Sequence, residues 1–367
     1  MEKLCDVCDF QGGSQPPKNE WSFEFQVGYV RMLQIRDFTQ SGKVIPEYVK
    51  ISSSIKQCAE DDILIARYGA SIGKILTGLA GAYNVAIMKT IPNVNKLRKK
   101  YLYYYLKSSY FQNSILNVGS RAAQAGFNKE DLSKLVIKCP ELTKQDEIIE
   151  ILSRLELIIE WEKQQFIKLD ELIKSRFVEM FKNEKEHISM SKLCSIITDG
   201  THQPPKFVPK GIPFIFVSNI SDNKITYNAG KFISQETYDE LIKRTPIEIG
   251  DVLLSTVGSY GHPAVVKSDK KFLFQRHIAY LKPKKDIIDS DYLHGALLSP
   301  NIQRKIEESV KGIAQKTLNL SEIKRMSIPV PDINKQKQFA TFVHQVDKLK
   351  FMLSKQNTKR KDTLYEY

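Results

Sequence analysis

The stretch VIKCPELTKQDEI (residues 136–148) occurs again, in altered form, as SIPVPDINKQKQF (residues 327–339). In each copy an isoleucine is followed by a proline, and the proline by the pair Lys-Gln, at identical spacings. Proline fixes φ and has no N–H to donate, so it separates chain elements rather than continuing them. A shared pattern of this kind, 191 residues apart, indicates that the chain contains two copies of one unit.

The repeat extends well beyond this stretch. Residues 101–159 align with 292–350 without a gap, and 13 of the 59 positions are identical. Upstream the register shifts by a few residues, but the run Gln-Pro-Pro-Lys recurs at 15–18 and 203–206, and two KLC tripeptides match Cys5 with Cys194. Short β-branched runs such as DILIARYG, PFIFVSNI and DVLLSTVG predict strands in both copies. Each copy therefore reads as a β-rich block followed by a helical tail.

The tails carry apolar residues at a spacing of about 3.5 residues, which predicts long amphipathic helices. We expect the first helix to start at a Thr143 cap, with Asp146 at its third position, and to run to about Phe181 without Gly or Pro. The second should start at an Asn334 cap and run to Tyr367. Neither helix can bury its apolar stripe alone, so the two should pack on each other as a coiled coil.

The composition is basic. Lys and Arg total 55 against 42 Asp and Glu, which gives a net charge of +13. This balance favours a polyanionic partner, with nucleic acid preferred over a membrane surface. Five cysteines with a single CxxC (Cys5, Cys8) predict packing residues in a reducing compartment rather than disulfides or a zinc site. No apolar run reaches the ~18 residues of a membrane span, so a cytoplasmic location is expected.

Motifs for catalysis are weak. The stretch GASIGKI (69–75) lacks the spacing of a phosphate-binding loop, and no dinucleotide fingerprint or H-E-x-x-H occurs. One nuclease-like arrangement combines Asp251 with Asp269 and Lys271, but the first copy has nothing equivalent after Asp62. The sequence therefore predicts a chain that is not an enzyme and that binds no metal or cofactor of its own, with an endonuclease at these three residues as an alternative.

Polar, basic and aromatic residues interleave in the loops of both blocks, and most of them differ between the copies although the framework matches. Arg, Lys, Asn and Gln are the side chains that read base edges and hold phosphates. The pattern predicts two domains that share a scaffold and bind different DNA sequences. The candidate DNA-binding residues are Gln15, Lys18, Arg36, Arg67, Tyr68, Lys74, Arg121 and Gln124 in the first copy, and Thr201, His202, Gln203, Lys206, Asn219, Tyr260, His262, Arg276, Gln315 and Lys316 in the second.

These features together resemble the specificity (S) subunits of type I restriction-modification enzymes. The likeness covers nearly the whole chain and lies in KLCSIITDGTHQPPKFVPKGIPFIFVSNI, GDVLLSTVGSYG, KTLNLSEIKRMSIPVPDINKQKQF and GFNKEDLSKLVIKCPELTKQDEIIEILSRLELII. The resemblance implies an α+β fold: two β-rich target-recognition domains, each followed by a long α-helix, with the helices packed as an antiparallel coiled coil. The expected boundaries are 1–142 and 191–333 for the domains, and 143–190 and 334–367 for the central and distal helices.

The resemblance further implies that the chain is non-catalytic. Each domain would read one half of a bipartite site in double-stranded DNA, and the helices would set the spacer. They would also hold two methyltransferase subunits, which methylate adenine with S-adenosylmethionine, and restriction subunits would join that core. Two departures are expected to matter. The second helix stops before a counterpart of LIKSRFVEMF (172–181) is completed, so the packing at that end would be shorter or supplied by a partner subunit, and the first block has FQGGS in place of DGTH.

Two other functions remain open at this point. The chain could be an S-like recognition module of a fused restriction-methylation enzyme, encoded separately here. It could also be a structural scaffold whose helices only dimerise and whose basic charge serves no DNA contact.

Overall fold

A computed structural model describes residues 1–40, 42, 44–119, 126–312 and 316–366. These residues form two compact units, the first comprising Met1–Lys163 with Ser354–Tyr367 and the second Gln164–Leu353. No helix in the described ranges is long and apolar enough to cross a membrane.

The first unit contains eleven strands among its described residues and begins the first long helix. The strands are β1 (Glu2–Lys3), β2 (Cys8–Gly12), β3 (Trp21–Ser22), β4 (Tyr29–Leu33), β5 (Tyr48–Lys50), β6 (Gln57–Cys58), β7 (Leu64–Ala66), β8 (Ile75–Leu76), β9 (Gly81–Tyr83), β10 (Ile87–Pro92) and β11 (Val136–Ile137). The helices are α1 (Leu4–Val7), α2 (Ile35–Thr39), α3 (Lys99–Lys107), α4 (Ser109–Gly119), α5 (Lys129–Ser133) and α6 (Leu142–Phe181).

The second unit repeats this order with fewer strands. Its strands are β12 (His187–Ser189), β13 (Cys194–Asp199), β14 (Ile212–Ile215), β15 (Phe232–Ile233), β16 (Val252–Ser255), β17 (Pro263–Val265), β18 (Leu273–Phe274), β19 (Ile278–Pro283) and β20 (Ser327–Pro329). Its helices are α7 (Met190–Leu193), α8 (Gln235–Leu241), α9 (Ser290–Leu298), α10 (Pro300–Ser309), α11 (Leu320–Arg325) and α12 (Ile333–Glu366).

A four-stranded antiparallel sheet is common to both units, with the order β2-β10-β7-β8 in the first and β13-β19-β16-β17 in the second. Its central strands are buried on both faces. Val252 and Leu254 of β16 contact one hydrophobic core while Leu253 contacts another, as the two-residue period of a strand requires. The internal pseudo-repeat predicted from the sequence is thus present in the strand order itself.

The two long helices pack against each other within each unit, and they run in opposite directions. In the first unit Glu162 forms an ion pair with Arg360, and Leu364 is buried in the core with Ile159. In the second unit Phe177 contacts Phe339, and Asp170 forms an ion pair with Lys350. Within each unit, residues later in α6 contact residues earlier in α12. The predicted antiparallel pairing is therefore confirmed.

Both predicted helix caps were wrong by a residue or two. Helix α6 already includes Thr143, and the amides of Lys144 and Gln145 donate to the carbonyl of Glu141. In α12 the Asp332 carboxylate accepts a hydrogen bond of 2.8 Å from the amide of Asn334. The residue after each proline, an acidic one, therefore starts the helix, which suits the positive end of the helix dipole.

The predicted match of Cys5 with Cys194 was also wrong. Cys8 begins β2 and lies opposite Pro92 in the sheet, and Cys194 begins β13 and lies opposite Pro283. Burial raises the pKa of both thiols to about 12, so both are neutral packing groups at neutral pH. The KLC tripeptides misled because they lie at different places: in the first unit KLC spans the start of α1, whereas in the second it spans the end of α7 and the first residue of β13.

Candidate nucleic-acid interface

The loop after β2, residues 13–20 (proline loop 1), leaves its sheet through a glycine with no space for a side chain. A Cβ added to Gly13 would lie 2.1 Å from the carbonyl oxygen of Asn84. The next amide, of Ser14, donates a 3.0 Å hydrogen bond to the Tyr83 carbonyl. Gln15 and Lys18, both predicted DNA contacts, project from this anchored loop as exposed side chains.

The corresponding loop of the second unit, residues 200–207 (proline loop 2), is anchored in the same way. A Cβ added to Gly200 would lie 2.3 Å from the Phe274 carbonyl oxygen, and the Thr201 amide donates to that carbonyl at 2.9 Å. Gly13 is therefore the counterpart of Gly200, although the sequences FQGGS and TDGTH differ. The expected departure between the copies therefore keeps the backbone anchor and changes the side chains beside it.

Proline loop 2 borders a cleft of about 600 Å³. His202 lies 2.8 Å from the Asp199 carboxylate, which also accepts a 2.5 Å hydrogen bond from Arg244. Lys206 and Lys243 line the same cleft. The predicted residues Thr201, His202, Gln203 and Lys206 thus lie together on a predominantly basic surface.

Arg276 joins this surface from the neighbouring loop. Its amide donates a 3.0 Å hydrogen bond to the Thr201 carbonyl, and its exposed guanidinium donates to the His277 ring at 3.3 Å. Burial and the charge of Arg276 lower the pKa of His277, so that ring is neutral at neutral pH. The structure therefore brings five of the predicted residues of the second copy into one patch.

In the first unit, residues 67–74 (glycine turn 1) carry an arginine and a tyrosine that stack. The Arg67 guanidinium lies 5.0 Å from the centre of the Tyr68 ring and donates to the carbonyls of Phe127 and Val85. A Cβ added to Gly126 would meet the Tyr68 ring at 2.3 Å, so the ring is held against this backbone. Lys74 ends the turn as an exposed side chain.

The corresponding residues 256–262 (glycine turn 2) have different side chains. The Tyr260 hydroxyl donates to Glu307, and Lys316 lies 3.5 Å from the same carboxylate. His262 is half-buried, and burial lowers its pKa, so it supplies no positive charge at neutral pH; its ring faces Asn223. The DNA contacts predicted for Tyr260, His262 and Lys316 stay predictions. Lys316 is the cation among these three residues.

Two of the predicted residues form hydrogen bonds or an ion pair within the protein, and these interactions compete with DNA binding. Asn219 accepts a hydrogen bond from the Phe216 amide and donates to the carbonyls of Thr226 and Asn228, so its carboxamide is fully engaged. Arg36 forms an ion pair with Glu47, which offsets its charge. Three further residues, Arg121, Gln124 and Gln315, lie outside the described residues.

The endonuclease alternative depends on Asp251, which is fully buried. Its carboxylate accepts hydrogen bonds from the Glu248 amide and the Tyr280 hydroxyl, whereas Asp269 and Lys271 are exposed. Asp62 accepts the corresponding bond from the Ala59 amide in the first copy. Asp251 therefore closes a turn that both copies share, and this explains it without catalysis.

Sequence reasoning missed Arg244 and Lys243. They follow the short helix α8 and reach proline loop 2 only because the chain folds back across more than forty residues. No local pattern connects them to His202. The glycines Gly13 and Gly200 were visible beside the proline pairs, but only the fold shows that a carbonyl occupies the position of their missing Cβ.

Comparison with known proteins agrees with this architecture. A family model described as the type I restriction modification DNA specificity domain matches residues 1–171 and 199–360. The specificity subunit of the type I restriction enzyme EcoBI from Escherichia coli is 33% identical over 147 residues, which are 40% of this chain and 31% of that protein. The MjaVIII specificity subunit from Methanocaldococcus jannaschii is 21% identical over 334 residues, 83% of this chain and 77% of that one.

One solved chain shows the same fold. It comes from a study described as "Structural basis underlying complex assembly and conformational transition of the type I R-M system", and it superposes with a TM-score of 0.57 at 17% identity, covering 99% of this chain and 94% of its own. The family model matches both copies of the repeat. This chain therefore belongs to the family of type I restriction-modification DNA specificity domains.

Proposed function

We propose that this chain is the specificity subunit of a type I restriction-modification complex and that each unit reads one half of a bipartite DNA site. The observation that carries the proposal is the contrast between framework and loops. The two units share their four-stranded sheet and loop anchors, while glycine turns 1 and 2, and proline loops 1 and 2 outside their common Gln-Pro-Pro-Lys run, present different side chains. A duplicated scaffold with divergent exposed loops fits two different DNA half-sites.

The chain itself is proposed to be non-catalytic, with methylation supplied by two methyltransferase subunits and cleavage by restriction subunits. The helices provide apolar surface for such partners. Ile151, Leu157 and Trp161 are exposed on α6 in the first unit, and Phe351 and Met352 on α12 in the second. Clusters of large exposed apolar side chains mark sites of association. We further propose that the helices set the number of unspecified base pairs between the half-sites.

Mapping of methylated adenines tests this function. The chain is co-expressed with the methyltransferase subunit of its system, and host DNA is sequenced for modified adenine. We expect a bipartite motif with a fixed spacer, and no such motif when the methyltransferase is expressed alone. If the two proteins fail to co-purify and no methylation appears, the structural-scaffold alternative is favoured instead.

DNA binding at two salt concentrations separates these alternatives further. Phosphate contacts release counterions, so the logarithm of affinity should fall linearly with the logarithm of salt concentration. A complex that shows no affinity for mixed duplex DNA at low salt would contradict the proposal. An Asp269→Ala variant serves as a control, because a specificity subunit should keep its methylation pattern when this exposed residue is replaced.

A further inference from the structure

Arg244 lines the cleft beside proline loop 2, where a carboxylate from the four-stranded sheet holds its guanidinium. Asp199 is the last residue of β13. Its Oδ1 accepts a 2.5 Å hydrogen bond from Nη2 of Arg244, and its Oδ2 lies 2.8 Å from Nε2 of His202. Both carboxylate oxygens therefore have partners within the protein, so the acid orients the arginine instead of contacting a ligand itself.

The backbone of Arg244 is held in place as well. The residue ends a short 3-10 turn, Ile242–Arg244, that follows α8. The next residue, Thr245, is buried, and its amide donates a 3.0 Å hydrogen bond to the Ile242 carbonyl. Leu241 and Ile242 pack against a buried hydrophobic cluster of the second unit. A contact to a base edge has to be placed to within about 0.5 Å, and an arginine fixed at both ends meets this demand.

The surrounding charges favour a base over a phosphate as the ligand of Arg244. The Asp199 carboxylate offsets the charge of the guanidinium and would repel a phosphate brought close to it. The bond to Asp199 takes one N–H of Nη2, and a bidentate contact needs only one further N–H from each Nη atom. Guanine presents two acceptors, O6 and N7, in the major groove, whereas adenine presents an acceptor and a donor. The geometry therefore suits guanine, while Lys206 and Lys243 line the same cleft and are suited to phosphate.

The first unit also has an arginine at this place, but it comes from a different segment. Gly12 and Asp199 hold equivalent positions, because their strand partners Met88 and Ala279 are separated by the repeat offset of 191 residues. A Cβ added to Gly12 would lie 3.4 Å from Nη1 of Arg67, which belongs to glycine turn 1. Arg67 donates to backbone carbonyls, whereas the arginine of the second unit donates to a carboxylate. An arginine therefore recurs here although the shared framework does not supply it.

We propose that Arg244 reads a guanine in the DNA half-site of the second unit and that Asp199 is its positioning residue. This inference rests on the proposed function and adds to it one base and the side chain that recognises it. Donation from arginine to O6 and N7 of guanine is the commonest specific contact in the major groove. His202 engages the second oxygen of Asp199, which keeps the carboxylate fixed while the arginine meets DNA.

Mapping of methylated adenines with the complete methyltransferase complex tests the inference. We expect the wild-type chain to give a bipartite motif with a guanine in one half, and Arg244→Ala to accept other bases at that single position. The preference for guanine should fall about 5- to 150-fold. Arg244→Lys keeps the charge but lacks the planar fork, so it should lose the preference while the complex still methylates. Arg304→Ala is the matched control, since this exposed arginine of α10 lies 4.0 Å from Glu308, and it should leave the motif unchanged.

A base analogue identifies the atom that is read. 7-Deazaguanine lacks the N7 acceptor but keeps its Watson–Crick pairing. The wild-type complex should therefore bind a duplex with the analogue at this position about fivefold or more weakly, and Arg244→Ala should bind both duplexes equally. Asp199→Ala should reduce the guanine preference in the wild-type background and have no further effect on it beside Arg244→Ala, because the two residues act as one unit. A purely structural role of Asp199 would instead weaken binding equally for both duplexes.

The outcomes separate the two levels of the argument. A wild-type complex that methylates no bipartite motif would refute the proposed function, and this inference with it. A bipartite motif without guanine in either half, or one whose guanine survives both Arg244→Ala and Arg244→Lys, would refute the inference and leave the proposed function intact.

Discussion

Each unit has a buried glutamine at the equivalent position near the start of its long helix, Gln145 in α6 and Gln336 in α12. The loops beyond the sheets, in contrast, have mostly different residues. Gln145 accepts a hydrogen bond from the Arg98 amide and donates to the carbonyls of Lys96 and Pro140. The backbone geometry at these positions admits few side chains, because a buried amide or carbonyl without a partner is costly. Exposed loop residues meet no such demand, so they are free to diverge.

Gln336 makes the same three bonds in the second unit. It accepts from the Asp289 amide and donates to the carbonyls of Ile287 and Pro331. Every partner lies 191 residues after its counterpart. The spacing of proline and glutamine in the opening sequence motif is therefore explained, since the glutamine reaches back to the proline carbonyl and across to the segment before α3 or α9.

The second sheets of the two units differ far more than the first. The first unit has five strands in the order β3-β5-β4-β9-β6, and the second unit has three in the order β15-β14-β18. Three strands are common to both, β5-β4-β9 and β15-β14-β18, with one antiparallel and one parallel pair in each unit. The divergence in sequence between the copies is concentrated where this sheet and the adjoining loops are built.

Replacing the buried glutamines should produce the largest effect. Gln145→Leu and Gln336→Leu each remove three hydrogen bonds to backbone groups, and a buried group left without a partner costs about 1–3 kcal/mol. We expect each variant to lose about 3 kcal/mol or more of unfolding free energy, measured by urea denaturation. Gln338→Leu, at an exposed position of α12, is the control and should be nearly neutral. Comparable losses in both units would confirm that the framework is equivalent, and a neutral result at either glutamine would contradict it.

Replacing the anchoring glycines Gly13 and Gly200 should cause the next largest loss of stability. In Gly13→Ala and Gly200→Ala the new Cβ must displace a backbone carbonyl that lies 2.1 Å or 2.3 Å away. Overpacking of this kind costs about 1–3 kcal/mol, so both variants should unfold earlier. Gly230→Ala has no atom within 4 Å of the added Cβ and provides the control. If Gly13→Ala and Gly200→Ala were as stable as Gly230→Ala, the proposed common anchor would be wrong.

The sequence predicted the repeat and the paired helices, because repeated spacings and apolar periodicity are local properties. It misplaced Cys5, since the KLC tripeptide lies at the start of the short helix in one copy and at its end in the other. The base contact that it assigned to Asn219 stays a prediction, and the carboxamide of Asn219 donates to the carbonyls of Thr226 and Asn228. Partners supplied by tertiary structure, such as Arg244 beside Asp199, cannot be found from local patterns.

The matched loop residues offer a way to separate the two DNA half-sites. Gln15 and Gln203 hold the same place in the two Gln-Pro-Pro-Lys runs and are both exposed. A bidentate glutamine contact contributes about 1–3 kcal/mol of base discrimination. We expect Gln15→Ala to relax only one half of the methylated motif and Gln203→Ala only the other, as read by adenine mapping. Relaxation of the same half by both variants would contradict the assignment of one half-site to each unit.

The neighbouring lysines of these runs are the control for base reading. Lys18→Ala and Lys206→Ala should weaken DNA binding about equally for all sequences and reduce the salt slope by about 1. Both side chains are exposed. A change in the methylated motif in either lysine variant would show that the lysine reads bases rather than phosphate.

The smallest effect concerns two carboxylates at corresponding positions of the repeat, Glu156 and Asp347. Burial alone would raise the pKa of each, but Lys107 beside Glu156, and Lys224 and Lys267 beside Asp347, outweigh it and lower both pKa values. A lowered folded-state pKa stabilises the protein above the unfolded values of about 4, and this contribution is lost as pH falls through the lowered pKa.

Glu156→Gln and Asp347→Asn should therefore reduce the loss of stability between neutral pH and about pH 3, measured by urea unfolding across that range. Both carboxylates are partly exposed, so solvent screening keeps each contribution below about 1 kcal/mol. Glu171→Gln, at an exposed position of α6, is the matched control and should leave the acid dependence unchanged. The lysine comes from α3 in the first unit, whereas in the second the lysines come from the loop before β15 and the loop after β17. Equal effects would therefore mean that the shared acidic position determines the pH response. Unequal effects would mean that the pH response depends on the segments that carry the lysines, which differ between the copies.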